Sequence, residues 1–169
     1  VSRVGGDAQV KAMKQVAGTL RLDLASYREK QAFSQFGSDL DATTQYQLNH
    51  GAHMMELLKQ PRYSALDVVD QICAIYAAKE NFIDDVDLEN VALFRDGLAQ
   101  YMSEYHPQLR NSLRNGKISD EQAERLSDHI KHFKAKFMEE HPNKVVDDAE
   151  ANADTPGSFD AVTQGSLQE

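Results

Sequence analysis

A chain of 169 residues, 41% of them apolar and 27% charged, is long enough for one domain with a real hydrophobic core and short for two. It has no apolar run near the roughly 18 residues that a helical membrane span needs and no signal-peptide pattern at its start, so neither a membrane-inserted segment nor an export signal is expected. The net charge of −9 is unevenly placed: eight acidic residues and one lysine lie from Glu139 onward, against 19 acidic and 17 basic residues before it. The body is therefore nearly balanced, and no basic patch with interleaved aromatics suggests nucleic acid.

The sequence opens without an initiating Met, on Val1-Ser2-Arg3-Val4-Gly5-Gly6. This stretch reads as the end of a strand that breaks at a glycine pair and holds Arg3 at an exposed edge, a piece of something longer. From Asp7 to about Phe36, apolar residues recur in steps of three and four at Val10, Met13, Val16, Ala17, Leu20, Leu24 and Tyr27, which predicts one long helix. Gly18 falls inside it at a cost of about 1 kcal/mol relative to Ala. Lys11, Lys14, Arg21 and Arg28 lie along another face, a solvated stripe or an ion-pairing surface.

The pattern stops at Gly37, and Ser38-Asp39-Leu40-Asp41 supplies turn and N-cap chemistry for the next helix. That second helix should run to about Lys59 with Leu48, Ala52, Met55 and Leu58 on its buried side, stopped by Pro61. A loop from Gln60 to Ala65 follows. A third helix, capped by Asp67 and carrying Val68, Val69, Ile72, Ile75 and Tyr76 to about Asn81, is apolar enough to be central. Its one cysteine, Cys73, reads as a small buried hydrophobe, which fits a reducing compartment.

Asp84, Asp85 and Asp87 form an acidic turn read as helix-capping. The fourth helix then carries Leu88, Val91, Phe94, Leu98, Tyr101 or Met102, and Tyr105, with a kink at Pro107 and the apolar face continuing at Leu109 and Leu113. Asn115-Gly116 is a stop signal. Ser119 with Gln122 is a capping box for a fifth helix bearing Ala123, Leu126, Ile130, Phe133 and Phe137. Residues 139–169 read as an acidic, disordered tail. The fold class is thus all-α: a bundle of about five or six helices over residues 7–138, preceded at residues 1–6 by the end of a strand from a missing domain.

Little in this pattern announces chemistry. The pairs His50/His53 and His129/His132 have helical spacing but no further ligand set, and are expected at the surface. The acidic turns lack the Ca²⁺-loop pattern. There is no phosphate loop of the form G-x-x-x-x-G-K followed by Ser or Thr. On these grounds alone the sequence reads as a free-standing helical interaction module.

The ordered segments VSRVGG, QVKAMKQVAGTLRLDLASYRE, AFSQFGSDLDATTQ, ELLKQPRYS and NGKIS, however, closely resemble the C-terminal part of the alpha subunit of F-type ATP synthases over residues 1–138. The resemblance implies a missing upstream nucleotide-binding domain, and alpha subunits alternating with beta subunits around a gamma central stalk. The implied machine is proton-coupled and makes ATP from ADP and phosphate. It sits peripherally on the cytoplasmic face of a bacterial plasma membrane. ATP or ADP with magnesium is implied for the whole assembly and none for this fragment alone. Arg3 then matches the arginine that alpha contributes to the catalytic site on beta, and Ser2 the hydroxyl-bearing neighbour that fixes it. Gln60 matches a glutamine that contacts adenine in the noncatalytic site. Arg62 stands where many relatives have a second glutamine, offering stacking on the base instead. By the same resemblance Ser38, Asp39 and Asp41 form a tip facing the rotor.

Overall fold

Helix α5 (Val68–Lys79) leaves no face of its middle to water: Val69 and every residue from Ile72 to Ala78 are buried. A helix apolar all round has to be surrounded, and α5 packs against α2 (Lys11–Val16), α4 (Ala42–Leu57), α7 (Pro107–Arg114), α6 (Val91–Tyr105) and α8 (Asp120–Glu140). The computed structural model describes residues 2–34 and 40–144, with backbone alone at Ser2, Arg3 and Phe33. Among the described residues it is all helical, with eight α-helices and one 3-10 turn at Leu88–Asn90.

The opening expected as a strand end is helix α1 (Ser2–Ala8). A strand needs a neighbouring strand to take its hydrogen bonds, and the described residues include none, whereas a helix closes its bonds locally. The long helix expected over residues 7–36 is also divided, into α1, α2 and α3 (Leu20–Ser34). The apolar face of α2, Ala12, Met13 and Val16, is buried on α5, while α3 packs on α4. The backbone changes partner by turning at residues 17–19, where Gly18 is a weak helix former. Gln15 secures this arrangement across the sequence: its amide Nε2 donates to Ile118 O at 3.1 Å and its Oε1 accepts from Ile118 N at 2.9 Å.

The kink expected at Pro107 is likewise a full break, with His106 at φ −131°, ψ 44° and Pro107 in the first turn of α7. That position suits a residue without an N–H, since first-turn amides have no helical partner. The break lets α7 swing onto α5. There Arg110 donates to both carboxylate oxygens of Asp70 (2.9 and 3.0 Å), and Arg114 reaches Asp67 at 2.8 Å. Asp67 also caps α5, accepting from Val69 N at 2.9 Å, and the Arg114 hydrogen bond holds its carboxyl below the usual range. The capping box at α8 forms as expected, with Ser119 Oγ accepting from Gln122 N at 3.2 Å and Gln122 Oε1 from Ser119 N at 2.9 Å. Along α8, Leu126, Ile130, Phe133 and Phe137 are buried, and Phe94 meets Phe133 and Phe137 edge-on at centroid distances of 5.2 and 5.3 Å.

Of residues 139–144, expected within the acidic tail, Glu139 and Glu140 instead finish α8, and Asn143 and Lys144 are pinned back on the bundle. Asn143 Nδ2 donates to Asp85 O at 2.6 Å and Lys144 N to Asp87 Oδ2 at 2.8 Å. The rest of the expected tail lies outside the described residues.

Helix α4 buries Gly51, His53, Met54 and Leu57, whereas the expected face of Leu48, Ala52, Met55 and Leu58 is only half-buried. The difference arises because α4 is gripped from two sides, by α3 on one and by α5 and α6 on the other. Gly51 permits the closest approach: a Cβ there would lie 2.3 Å from Cδ2 and 2.7 Å from Cβ of Tyr27. Gly51→Ala, which by helix propensity alone would gain about 1 kcal/mol, is therefore expected to cost about 1–3 kcal/mol through overpacking. In a Tyr27→Gly background, which removes the Cβ as well as the ring, the same change should become stabilising. Urea unfolding of the four variants measures both signs, and stabilisation by Gly51→Ala alone would contradict this packing.

Candidate functional site

The loop that carries Gln60 and Arg62 is built by the end of α4. Leu58 N donates to Met54 O at 3.2 Å and Lys59 N to Glu56 O at 3.1 Å, after which Pro61 ends the helical bonding. Residues 60–65 are all exposed, and Tyr63 stands wholly in solvent with φ 62°, a left-handed backbone that few non-glycine residues adopt. One hydrogen bond, Ser64 N to Pro61 O at 3.4 Å, closes the turn. Gln60 and Arg62 are thus displayed outward, and among the described residues no side-chain hydrogen bond engages their polar ends.

Beneath this loop lies a residue the sequence reading missed. Arg95 of α6 is only 6% exposed. Its Nη1 donates to Leu57 O at 3.2 Å and to Lys59 O, while its Nε donates to Asp96 Oδ1 at 2.8 Å. The sequence does carry a signal for it: Arg95 interrupts the buried face of Val91, Phe94 and Leu98, and a charge on an apolar face needs buried acceptors.

Asp41 caps α4 at its other end, accepting from Thr44 N at 3.3 Å and from the Thr44 hydroxyl, a contact that holds its carboxyl below the usual value. The 16 residues of α4 put this cap about 24 Å from the Gln60 end, so the two candidate sites are separate. Ser38 and Asp39 lie outside the described residues. Ser2 and Arg3 fall in α1 by their backbone, and their side chains lie outside the description.

The histidines and acidic turn depart from expectation. His53, expected at the surface, is 4% exposed, with Nδ1 at 2.7 Å from Asn49 O and Nε2 at 2.7 Å from Val86 O. His50 is half-buried, its Nδ1 at 2.8 Å from Asp84 Oδ1, and Tyr46 Oη donates to Asp84 Oδ2 at 3.0 Å. Asn49 Nδ2 adds a bond to Asp84 O at 3.0 Å. Positions 46, 49, 50 and 53 share one helix face, so α4 grips the 84–86 turn with four polar side chains. Asp84 is therefore a latch and not a helix cap. Asp85 pairs with Lys134, and Asp87, though it precedes the 3-10 turn, makes no capping bond to it through its carboxylate. In the other pair, His129 stacks on His106 with centroids 3.5 Å apart, while His132 is exposed. Burial, with Arg125 nearby, holds both stacked imidazoles below their usual value. Among the described residues no group of three potential ligands is placed to hold a metal ion. A cavity of about 340 Å³ between α3 and α4 is lined by Asp23, Tyr27, Lys30, Tyr46, His50 and Lys79 among others, and of the described residues Asp41, Gln60 and Arg62 none borders it.

The family model for the C-terminal domain shared by ATP synthase alpha and beta chains matches residues 9–133, a span running from just before α2 into α8. The protein belongs to this family. Among its relatives, an ATP synthase subunit alpha of Streptococcus equi subsp. zooepidemicus is 50% identical over 135 residues, covering 80% of this chain and 27% of the relative. One of Streptococcus uberis is 51% identical over 134 residues, covering 79% and 26%. The chain thus spans about a quarter of the length of the curated relatives it matches. Asp41, Gln60, Arg62 and Arg95 fall inside the matched ATP synthase domain, whereas Ser2 and Arg3 precede it. No helix of the described residues is long and apolar enough to cross a membrane.

The latch at Asp84 makes this ATP synthase domain pH-sensitive in a defined direction. The hydrogen bond to Asp84 outweighs burial and raises the His50 pKa above 6.5. Burial of Asp84 opposes its ionisation, but the hydrogen bond and charge of His50, joined by the Tyr46 hydrogen bond, hold its pKa below 3.8. The His50 contribution is complete below the unfolded-state imidazole value and fades as pH rises through the raised folded value. The Asp84 contribution is complete above the unfolded carboxyl value and fades only as pH falls through the lowered one. The stability gap between wild type and Asp84→Asn should therefore be widest near about pH 5.5 and narrower near about pH 8.5. Denaturant unfolding at the two values decides it, and a gap that widens with pH would refute the latch.

Proposed function

We propose that this protein is the C-terminal region of the alpha subunit of a proton-translocating F-type ATP synthase, the noncatalytic, regulatory nucleotide-binding subunit of the ring. The observation that carries the reading is the identity of about half to alpha subunits across the matched helical domain. In this reading residues 1–6 end the nucleotide-binding domain, the helical domain expected over residues 7–138 extends to residue 144, and residues 145–169 are an acidic extension. Beta subunits alternate with alpha, the gamma stalk turns inside the ring, and the assembly is held peripherally on the cytoplasmic face of a bacterial plasma membrane.

The chemistry divides among the residues accordingly. Nucleotide and magnesium belong to the whole assembly, because this sequence has no phosphate loop. What it supplies is a displayed loop, in which Gln60 offers an amide to the edge of an adenine and Arg62 a planar cation able to stack on its face. Arg3, steadied by Ser2, is lent to the beta catalytic site. There a guanidinium stabilises charge on the equatorial oxygens of the transferring phosphoryl group, a role that depends on planar, bidentate geometry. Ser38, Asp39 and Asp41 face the rotor.

The test is to join this sequence to the upstream part of a related alpha subunit, assemble it with beta and gamma, and follow ATP hydrolysis. Arg3→Lys should lower turnover by about 10³-fold or more, the scale of arginine-finger losses, with nucleotide binding largely kept. Near-normal turnover would overturn the assignment of Arg3, and failure of the chimera to enter the ring would favour an independent interaction module.

A further inference from the structure

We infer that Arg95 is a positioning residue that fixes the near end of the Gln60–Tyr63 loop and thereby sets how strongly and selectively that loop recognises a purine base. This rests on the proposed adenine contact of the loop. Three observations carry it.

The first is where the charge sits. Arg95 is a permanently charged guanidinium buried on α6; besides the Nε bond to Asp96, its Nη1 donates to Leu57 O at the end of α4 and to Lys59 O just past the Leu58 cap. Helix C-terminal carbonyls lack internal partners and carry the negative end of the helix dipole, so a cation there is doubly favoured. Lys59 O belongs to the peptide that leads into Gln60, so the direction in which Gln60 leaves the helix is set by this contact.

The second is the absence of other support. Residues 60–65 are exposed, and the one bond within the turn is the long Ser64–Pro61 contact. At its far end the loop is tied by Gln71 Nε2, which donates to Leu66 O at 2.9 Å, and by the Asp67 cap. The loop is therefore a strap with two anchors, and Arg95 is the near one.

The third is the backbone of Tyr63, whose positive φ without a packed side chain is unfavourable in isolation. Such a conformation persists where fixed ends impose it. Releasing the near anchor lets the turn relax and carries Gln60 and Arg62 out of register with a base.

The inference is tested in the full-length chimeric alpha subunit with Arg95→Met, which keeps the buried stem but not the donors, and Arg95→Lys, which keeps a cation without the fork. Hydrogen exchange at the Leu58, Lys59 and Ser64 amides should quicken about tenfold in Arg95→Met, with α5 amides unchanged. ATP should bind about tenfold more weakly, and the preference for ATP over GTP should fall to that of Gln60→Ala. Arg95→Lys should recover part of both, and it decides the matter where Arg95→Met does not fold. Unchanged loop exchange in a folded variant overturns the positioning role. Quickened exchange with base preference intact, while Gln60→Ala loses it, overturns the link to recognition. If Gln60→Ala itself leaves the preference intact, the adenine reading of the loop fails, and Arg95 is left as a structural anchor only, which also overturns the inference.

Discussion

Burial of α5 on every side between Ile72 and Ala78 is the constraint that organises this domain. A helix with an exposed face can be served by one or two neighbours, but Val69, Ile72, Cys73 and Ala77 on one side and Ala74, Ile75 and Ala78 on the other leave the middle of α5 no face for water. Five other helices must converge on it. Such a helix cannot choose its rotation or register from an amphipathic pattern, since every rotation buries apolar surface. Register is instead given by polar groups at its start, where Asp67 and Asp70 receive the guanidinium groups of α7. These forked, charge-assisted contacts are directional in a way that hydrophobic burial is not.

The same division of labour recurs around α4. Its apolar residues meet the core, but its placement is read by polar side chains at defined spacing: a cap at Asp41, four residues gripping the 84–86 turn, and at its end the buried guanidinium of Arg95. The helix is held at start, middle and finish by contacts of different chemistry. It therefore spans from the Asp41 cap at one end to the displayed loop at the other, with α5 packed along its flank.

What could be read in the sequence follows from how local each interaction is. The caps at Asp41, Asp67 and Ser119–Gln122 were legible because donor and acceptor lie within three residues. The core faces of α6 at Val91, Phe94, Leu98 and Met102 and of α8 were legible because each presents one apolar stripe to one side, whereas Leu88 and Tyr105, expected on the same face, are exposed. The outward loop at Gln60 was announced by Pro61. The division of the first long helix was not legible, because its cause is a change of partner secured by Gln15 and Ile118, 103 residues apart. His53, Asp84 and Arg95 escaped for the same reason. Each is a polar residue satisfied by carbonyls or side chains distant in sequence, and residue type alone favours the surface. The first residues read as a strand because Val and Ser-Arg-Val suit one, but a strand is a property of a sheet and not of a segment.

The burial of α5 has a further consequence through its single cysteine. Cys73 is 1% exposed, and burial pushes its thiol pKa up to about 12. It is thus neither reachable nor nucleophilic while the helix is enclosed. Any thiol reagent that modifies it does so through an opening that releases α5, and loss of α5 is loss of the domain. The protein thereby holds its own chemical clock: the rate of Cys73 labelling counts openings of the whole core, and a bound partner that steadies the bundle would slow it.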